Sequence, residues 1–148
     1  MDIYVLKYKD PLWENVTSYA GSCSWRAGPY LARMMREGRF QEWERVIAAF
    51  EGSDPAGFCA FTEYDFNDTA EPEIRPFIGF VFVGEDYRGC RLSQRLTETA
   101  EEYARSLGYR KIYLTSGEKG LYEKYGYSAA GVKITGDGTA ETLFRKEL

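Results

Sequence analysis

The chain of 148 residues contains no histidine. Serine and cysteine nucleophiles activated by histidine, HExxH zinc sites and histidine general bases all need an imidazole, so these classes of active site are excluded. Proton transfer in any reaction must then fall to tyrosine, carboxylate, lysine or cysteine side chains.

Cysteine is also scarce, and its three copies are far apart. Cys23, Cys59 and Cys90 form no CxxC pair, which removes the usual ligand pattern of a zinc site. An odd number of separated cysteines is typical of free thiols in a reducing compartment rather than of a disulfide framework. We therefore expect free thiols and no metal site.

Long apolar runs and an excess of positive charge are absent as well. No 18 apolar residues follow one another, and the opening sequence MDIYVLKYKDPLW has no basic region followed by an apolar run. The formal net charge at pH 7 is -4, without the basic footprint that nucleic acid or an anionic membrane surface attracts. We expect a cytoplasmic protein that binds neither membranes nor nucleic acid.

Apolar and aromatic residues are plentiful, at 44% and 16% of the chain. At this length they fill one good core, so residues 1–148 are expected to form a single domain. Residue alternation and helical periodicity then predict the order of elements. The predicted strands are 3–8, 43–50, 58–66, 77–83, 111–114, 127–134 and 141–146, and the predicted helices are 12–19, 30–37, 88–107 and 119–124.

These elements predict an α+β fold built on one mixed sheet. The apolar strand at 77–83, the amphipathic helix after it and the strand at 111–114 form a crossover, which makes these two strands parallel. Short turns join the strands at 43–66 and 127–146, which favours antiparallel hairpins there. We therefore expect a mostly antiparallel sheet with one parallel crossover, flanked by helices.

The stretch EDYRGCRLSQRL, residues 85–96, places three arginines at a predicted helix start. A helix N-terminus presents unpaired N–H groups and the positive end of the helix dipole, which favour anions over cations. Three cations there indicate a bound anion, held by the N–H groups of residues 88–93. The alternative is a solvated face on which Arg88, Arg91 and Arg95 pair with Glu85, Asp86 and Glu98.

Two motifs carry a resemblance to GNAT-superfamily N-acetyltransferases. Residues 83–93, VGEDYRGCRLS, resemble the family's acyl-CoA-binding motif Arg/Gln-x-x-Gly-x-Gly/Ala, with Arg91 and Ser93 in place of the two small residues. Residues 121–127, LYEKYGY, resemble its Phe/Leu-Tyr-Glu-Lys-x-Gly-Phe/Tyr segment. The predicted order of elements is similar to the GNAT fold over nearly the whole chain, and CSWRAG at 23–28 resembles uncharacterised bacterial members.

The resemblance implies a site for acetyl-CoA as acyl donor. Backbone N–H groups of the loop would hold the pyrophosphate, and the preceding strand would pair with pantetheine and polarise the acyl carbonyl. We expect Arg91 to lie in the first helical turn, without a positive φ, and its guanidinium to reach a phosphate. The implied donor-site residues are Val81, Phe82, Val83, Arg88, Gly89, Cys90, Arg91, Leu92 and Ser93.

The resemblance also implies catalytic roles. Tyr122 stands where the family often has the tyrosine that protonates the CoA thiolate, although it could instead simply pack beside Leu121. For the general base the first choice is Glu85 and the second Glu63, acting directly or through water, and either could instead be a solvated surface acid. The acceptor contacts expected are Trp25, which could equally be core, with Arg26, Tyr30 and Glu63.

The function expected is transfer of acetyl from acetyl-CoA to a primary amine by direct attack, with Tyr122 as general acid. The acceptor would be a small molecule or a peptide. One alternative is a catalytically silent acyl-CoA sensor, which the replacement of the motif's small residues by Arg91 and Ser93 leaves open. Another is an interaction domain with exposed aromatics and no CoA site. A homodimer is compatible with the resemblance, because many relatives dimerise.

Overall fold

The computed structural model describes residues 1–65, 71–135 and 138–148. In these ranges seven strands form one sheet, and four α-helices pack against it. The strands are β1 (Asp2–Leu6), β2 (Arg45–Glu51), β3 (Asp54–Thr62), β4 (Phe77–Val83), β5 (Lys111–Ser116), β6 (Ser128–Ile134) and β7 (Ala140–Glu147). The helices are α1 (Trp13–Ser22), α2 (Gly28–Glu37), α3 (Leu92–Ser106) and α4 (Leu121–Lys124).

The strand order is β1-β2-β3-β4-β5-β7-β6. β4 and β5 are parallel, because α3 returns the chain to the edge of the sheet at which β4 begins. The other neighbouring strands are antiparallel. The mixed, mostly antiparallel sheet with one parallel crossover and flanking helices is thus confirmed.

Each face of the sheet carries its own hydrophobic cluster. We call the face covered by α1 and α2 the front face, and the face covered by α3 and α4 the back face. Side chains along β2 alternate between the two faces and are buried on both. Val46, Ala48 and Phe50 point to the front face, while Ile47 and Ala49 point to the back face. From the start of β4 onwards, the described residues of the front face form a small cluster from strands and a loop, Phe77, Tyr113, Leu143 and Ile74.

Several predicted boundaries were wrong for local reasons. The helix predicted from residue 88 begins at Leu92, because a 3-10 turn at Glu85–Tyr87 and the loop after it take the preceding residues. The strand predicted from residue 58 begins at Asp54, because the turn before it is tight. The predictions that fall on residues 66–70 and 136–137 lie outside the described residues.

The strand β4 carries a bulge in the middle of its length. Phe58 pairs with Phe82, but Ala60 pairs with Gly79, so β4 has one extra residue between these two pairs. Phe80 lies in this bulge and has a φ of 54°. This left-handed conformation is energetically unfavourable for any residue other than glycine. The bulge bends β4 just before the strand reaches the loop that leads into α3.

Candidate active site

A cleft opens where β4 ends and the chain turns towards α3. Its volume is about 280 Å³, and it is open to solvent. The loop after β4 and the first turn of α3 form one side, and α4 forms the other. The lining residues are Val83, Tyr87, Arg88, Gly89, Arg91, Leu92, Ser93, Leu121 and Tyr125, and six of them are among the donor-site residues that the resemblance implied.

The two parallel strands separate on the way to this cleft. The first two residues of β4 pair with the middle of β5, Phe77 with Tyr113 and Ile78 with Leu114, and no later pair joins these two strands in the part of the chain that the structure describes. On the other side of β4, the Gly84 N–H donates to the carbonyl of Ala56 at 2.8 Å. Because antiparallel pairing alternates, Phe82 directs its backbone groups towards β3, whereas Val83 directs its own into the gap beside β5. The end of β4 therefore has no neighbouring strand on this side, and the Val83 carbonyl accepts a hydrogen bond from a side chain, the Arg88 guanidinium.

The loop between β4 and α3 has the backbone of an anion site. Gly89 has a φ of 82° and Arg91 a φ of 62°, and α3 follows with 15 residues. Successive left-handed turns before a helix start aim several N–H groups at one point, where the helix dipole adds positive potential. The expectation that Arg91 lies in the first helical turn without a positive φ was wrong: it is the N-cap and has a left-handed conformation, which glycine adopts more easily.

The three arginine side chains have different surroundings. The Arg88 Nε donates to the Val83 carbonyl at 3.1 Å, and its guanidinium lies 5.9 Å from the ring centre of Phe82. Arg95 donates to the carbonyl of Met1 at 3.3 Å. Arg91 is exposed and lines the cleft. Among the described residues no ion pair joins these arginines to Glu85, Asp86 or Glu98, so their charges are not neutralised locally.

Tyr122 lies in α4 and is only 5% exposed. Its neighbours Leu121 and Tyr125 line the cleft, whereas Tyr122 is not among the lining residues and packs in the back-face cluster. Its ring is enclosed by the rings of Tyr125, Tyr127 and Phe144 at centroid distances of 5.7, 6.0 and 5.8 Å. Burial raises the pKa of Tyr122 above its ordinary value, and the neighbouring Cys59 adds to the effect. Within the described residues, no hydrogen bond to the Tyr122 hydroxyl is present. Every side-chain oxygen that is fully buried in these residues has a hydrogen-bond partner. The Tyr122 hydroxyl is therefore not fully buried.

A hydrogen bond connects the two sides of the cleft. The Ser93 hydroxyl and the Tyr125 hydroxyl are 2.8 Å apart, and either oxygen can be the donor. Ser93 occupies the place of the motif's second small residue, so this replacement anchors α4 to the first turn of α3. Tyr125 was missed in the sequence. The available signal was its spacing from Tyr122, because residues three apart lie on one side of a helix.

The two candidate bases lie far apart. Glu85 is exposed in the 3-10 turn that directly follows β4. Glu63 follows β3 and binds Arg75 at 2.8 Å and the Gln41 amide at 2.9 Å. β3 ends opposite the beginning of β4, so Glu63 lies roughly 20 Å along the sheet from the cleft at about 3.3 Å per residue. The structure thus brings Glu85, and not Glu63, to the end of β4.

The candidate acceptor residues lie on the front face. Trp25 stacks on Phe82 with a centroid distance of 5.9 Å and an interplanar angle of 7°, so it is part of the wall over β4. Arg26 is exposed, and Tyr30 in α2 is 59% exposed. A side chain on Gly28 would collide with the Ala20 carbonyl and the Cys23 thiol, so glycine is needed where α1 and α2 meet.

Tyr19 is a further residue that the sequence did not reveal. A side chain on Gly84 would come within 2.7 Å of the Tyr19 hydroxyl, which therefore lies beside the turn after β4. Its ring contacts Phe58 and Phe82 at 5.9 and 6.2 Å. Burial raises the pKa of Tyr19. The neighbouring Cys23 and Tyr87 add to this rise, whereas the positive charge of Arg88 opposes it. No sequence pattern joins α1 to this turn, because the contact arises only from the fold.

In the described ranges no group of three or more cysteine, aspartate and glutamate residues could hold a metal ion. All three cysteines are free, as expected. None of the described helices has both the length and the apolar character needed to cross a membrane.

Several solved structures share this fold. An aminoglycoside 6'-N-acetyltransferase complexed with coenzyme A matches with a TM-score of 0.73 and 17% identity, covering 99% of this chain and 97% of that one. The aminoglycoside 6'-N-acetyltransferase from Enterococcus faecium matches with a TM-score of 0.72, 17% identity and the same coverage. A GNAT family acetyltransferase from Elizabethkingia anophelis with acetyl-CoA bound has a TM-score of 0.66 and 16% identity, again over 99% and 97%.

A search of curated protein sequences finds no significant match. A family model described as the acetyltransferase (GNAT) family, however, matches residues 13–127, which is more than half of the chain and includes both motifs. The chain therefore belongs to the GNAT family of acetyltransferases.

Proposed function

We propose that this enzyme transfers the acetyl group of acetyl-CoA to a primary amine by direct attack. The observation that carries the proposal is the arrangement of the cleft. Its anion-binding loop lies directly beyond the free edge of β4, and α4 with Tyr122 borders the other side. Acetyl-CoA carries both phosphates and amide groups, so its site needs an anion-binding loop next to a free strand edge.

The cleft has features that would bind acetyl-CoA. The N–H groups of residues 89–93 would hold the pyrophosphate, with the exposed Arg91 guanidinium beside it. The amides of pantetheine would pair with the edge of β4, chiefly at the Val83 N–H, which faces the gap, while the Val83 carbonyl accepts from Arg88. Two of the solved relatives were crystallised with coenzyme A or acetyl-CoA, which supports the same assignment here.

Bound acetyl-CoA supplies a thioester whose carbonyl a neutral amine can attack. Tyr122 would then give its phenolic proton to the departing sulfur. A pKa raised by burial keeps this phenol protonated at neutral and mildly alkaline pH, which a proton donor requires. An N–H group near Val83 would stabilise the oxyanion.

For the base we propose Glu85, directly or through a water molecule. It is exposed at the end of β4, where the donor and acceptor sites meet. Glu63 is the weaker candidate, because Arg75 and Gln41 already bind its carboxylate at the other end of β4.

The acceptor would approach over the front face beyond β4, next to Trp25, Arg26 and Tyr30. This surface is bordered by strands and loops and suits a small-molecule or peptide amine. Aminoglycosides are the first acceptors to try, since two solved relatives are aminoglycoside N-acetyltransferases.

The test is release of CoA from acetyl-CoA in the presence of an aminoglycoside, a polyamine or a lysine-bearing peptide. We expect amine-dependent release by the wild type and a fall on the order of 10²-fold in Tyr122→Phe, the usual size of a general-acid effect. Tyr4→Phe, at a tyrosine 39% exposed on β1, is the matched control.

Equal release by Tyr122→Phe and the wild type would refute the role of Tyr122. Binding of acetyl-CoA without release to any amine would instead favour the acyl-CoA sensor, for which the replacement of two small motif residues by Arg91 and Ser93 is the supporting observation.

A further inference from the structure

An ion pair joins α3 to β7 next to α4. Glu101 of α3 is 2% exposed, and its Oε1 lies 2.9 Å from the ammonium of Lys146 in β7, whose side chain is 21% exposed. The Tyr127 hydroxyl donates to the other carboxylate oxygen, Oε2, at 2.8 Å. Burying the Glu101 carboxylate costs desolvation, so the pair contributes little net stability compared with apolar residues. What the pair provides is a fixed geometry for the groups that it binds.

The pair holds both tyrosines that follow Tyr122. The Lys146 ammonium donates to the backbone carbonyl of Tyr125 at 2.8 Å, while Glu101 binds the hydroxyl of Tyr127. The rings of these two tyrosines meet the Tyr122 ring edge to face, with interplanar angles of 89° and 81°. One ion pair thus fixes two walls of the enclosure around the Tyr122 phenol.

The helix that carries Tyr122 is too short to hold its own position. α4 has four residues, about one turn, and an isolated turn of this length is unstable. The Lys146 stem also packs against the turn that ends α4: a Cβ on Gly126, whose φ is 96°, would lie 3.1 Å from the Lys146 Cε. The placement of α4 therefore depends on contacts from α3 and β7.

We infer that Glu101 and Lys146 are positioning residues for the proton transfer by Tyr122. This inference rests on the proposed function for its catalytic meaning, but the placement of Tyr122 can be measured without any acceptor. The pair acts through the neighbouring rings of Tyr125 and Tyr127 and touches neither donor nor acceptor.

Three variants test the inference. Lys146→Met removes the ammonium and keeps most of the stem, and Tyr127→Phe removes one hydroxyl and keeps the ring. Removing one partner leaves a buried charge, which destabilises the fold, so the double variant Glu101→Leu with Lys146→Met removes both charges together. Lys111→Met is the matched control, because the Lys111 ammonium lies over Tyr113 on the opposite face of the sheet.

Three readouts separate positioning from folding. Calorimetry gives the dissociation constant of acetyl-CoA, and amine-dependent CoA release gives the turnover. The ¹⁹F resonance of 3-fluorotyrosine, incorporated at position 122, reports the surroundings and titration of that phenol. We expect the double variant to bind acetyl-CoA within about threefold of wild type, to release CoA at least tenfold more slowly, and to titrate its fluorinated phenol at a lower pH.

The inference is overturned if the folded double variant keeps both the wild-type turnover and the wild-type fluorine titration. It is overturned equally if Lys111→Met changes them as much. If the wild type releases no CoA to any amine, the proposed function fails alone, and a fluorine titration that moves in the double variant and Tyr127→Phe still supports the positioning role.

Discussion

Tyr122 shows how one side chain can be both buried and available. Its ring is enclosed by aromatic neighbours, while its hydroxyl keeps contact with accessible space. Burial raises its pKa, because the phenolate would lose its hydration in this enclosure. The result is a phenol that keeps its proton over a wide pH range, as a hydrogen-bond donor to a departing thiolate should.

This burial predicts an alkaline weakness of the fold. Below pH 10, the ordinary pKa of tyrosine, Tyr122 is protonated in both the folded and the unfolded state, so it adds no pH dependence. Above that pH the unfolded chain releases the proton and the folded chain retains it. The free energy of unfolding then falls with rising pH, by up to about 1.4 kcal/mol per pH unit for each such group.

Urea unfolding between about pH 9 and pH 11 measures this effect. We expect Tyr122→Phe to lose less stability over this interval than the wild type, while Tyr4→Phe, with its exposed ring, loses as much as the wild type. Parallel curves for Tyr122→Phe and the wild type would show that the phenol is not buried as described.

At the scale of elements, the segment from β4 to α3 determines the site. A 3-10 turn, a glycine in the left-handed region and Arg91 in the same region separate the strand from the helix. The sequence placed the helix start too early, because arginine and serine are unremarkable inside a helix and give no sign of a left-handed N-cap. Arg91 stands where the motif has a glycine, and it has a left-handed conformation that glycine adopts more easily.

The left-handed Arg91 predicts an unusual order of variant stabilities. A residue with a Cβ pays about 1 kcal/mol or more in this conformation, whereas glycine adopts it freely. Arg91→Gly should therefore be more stable than Arg91→Ala by about 1 kcal/mol, measured by urea unfolding. Both variants lack the guanidinium, so their difference reports the backbone alone.

The same pair of substitutions at Arg95, inside α3, is the control. There alanine should be more stable than glycine by about 1 kcal/mol, because helix interiors penalise glycine. Finding Arg91→Ala as stable as or more stable than Arg91→Gly would contradict the left-handed N-cap.

At the scale of the whole molecule, the sequence predicted the sheet and missed contacts between distant elements. Alternation and helical periodicity follow from burial on one or two faces, so the crossover around α3 could be read directly. The positions of Tyr19 beside Gly84 and of Glu101 beside Lys146 could not, because they join segments without any shared local pattern. Tyr125 lay within a recognised motif, yet its bond to Ser93 depends on how α4 packs.

Some expectations concern properties beyond this fold. The single domain over residues 1–148, the cytoplasmic location and the homodimer stay predictions. Sedimentation of the purified chain tests the homodimer, one cooperative unfolding transition of the purified chain tests the single domain, and fractionation of cells tests the location.

We propose that the cleft between α3 and α4 holds acetyl-CoA. The first experiment is calorimetric titration of the purified protein with acetyl-CoA, alongside Ser93→Phe, which fills the cleft, and Ser106→Phe, at the exposed far end of α3. We predict binding by the wild type and by Ser106→Phe, and a loss of at least tenfold in affinity for Ser93→Phe. If the wild type does not bind, or if Ser93→Phe binds as well as the wild type, acetyl-CoA does not occupy this cleft.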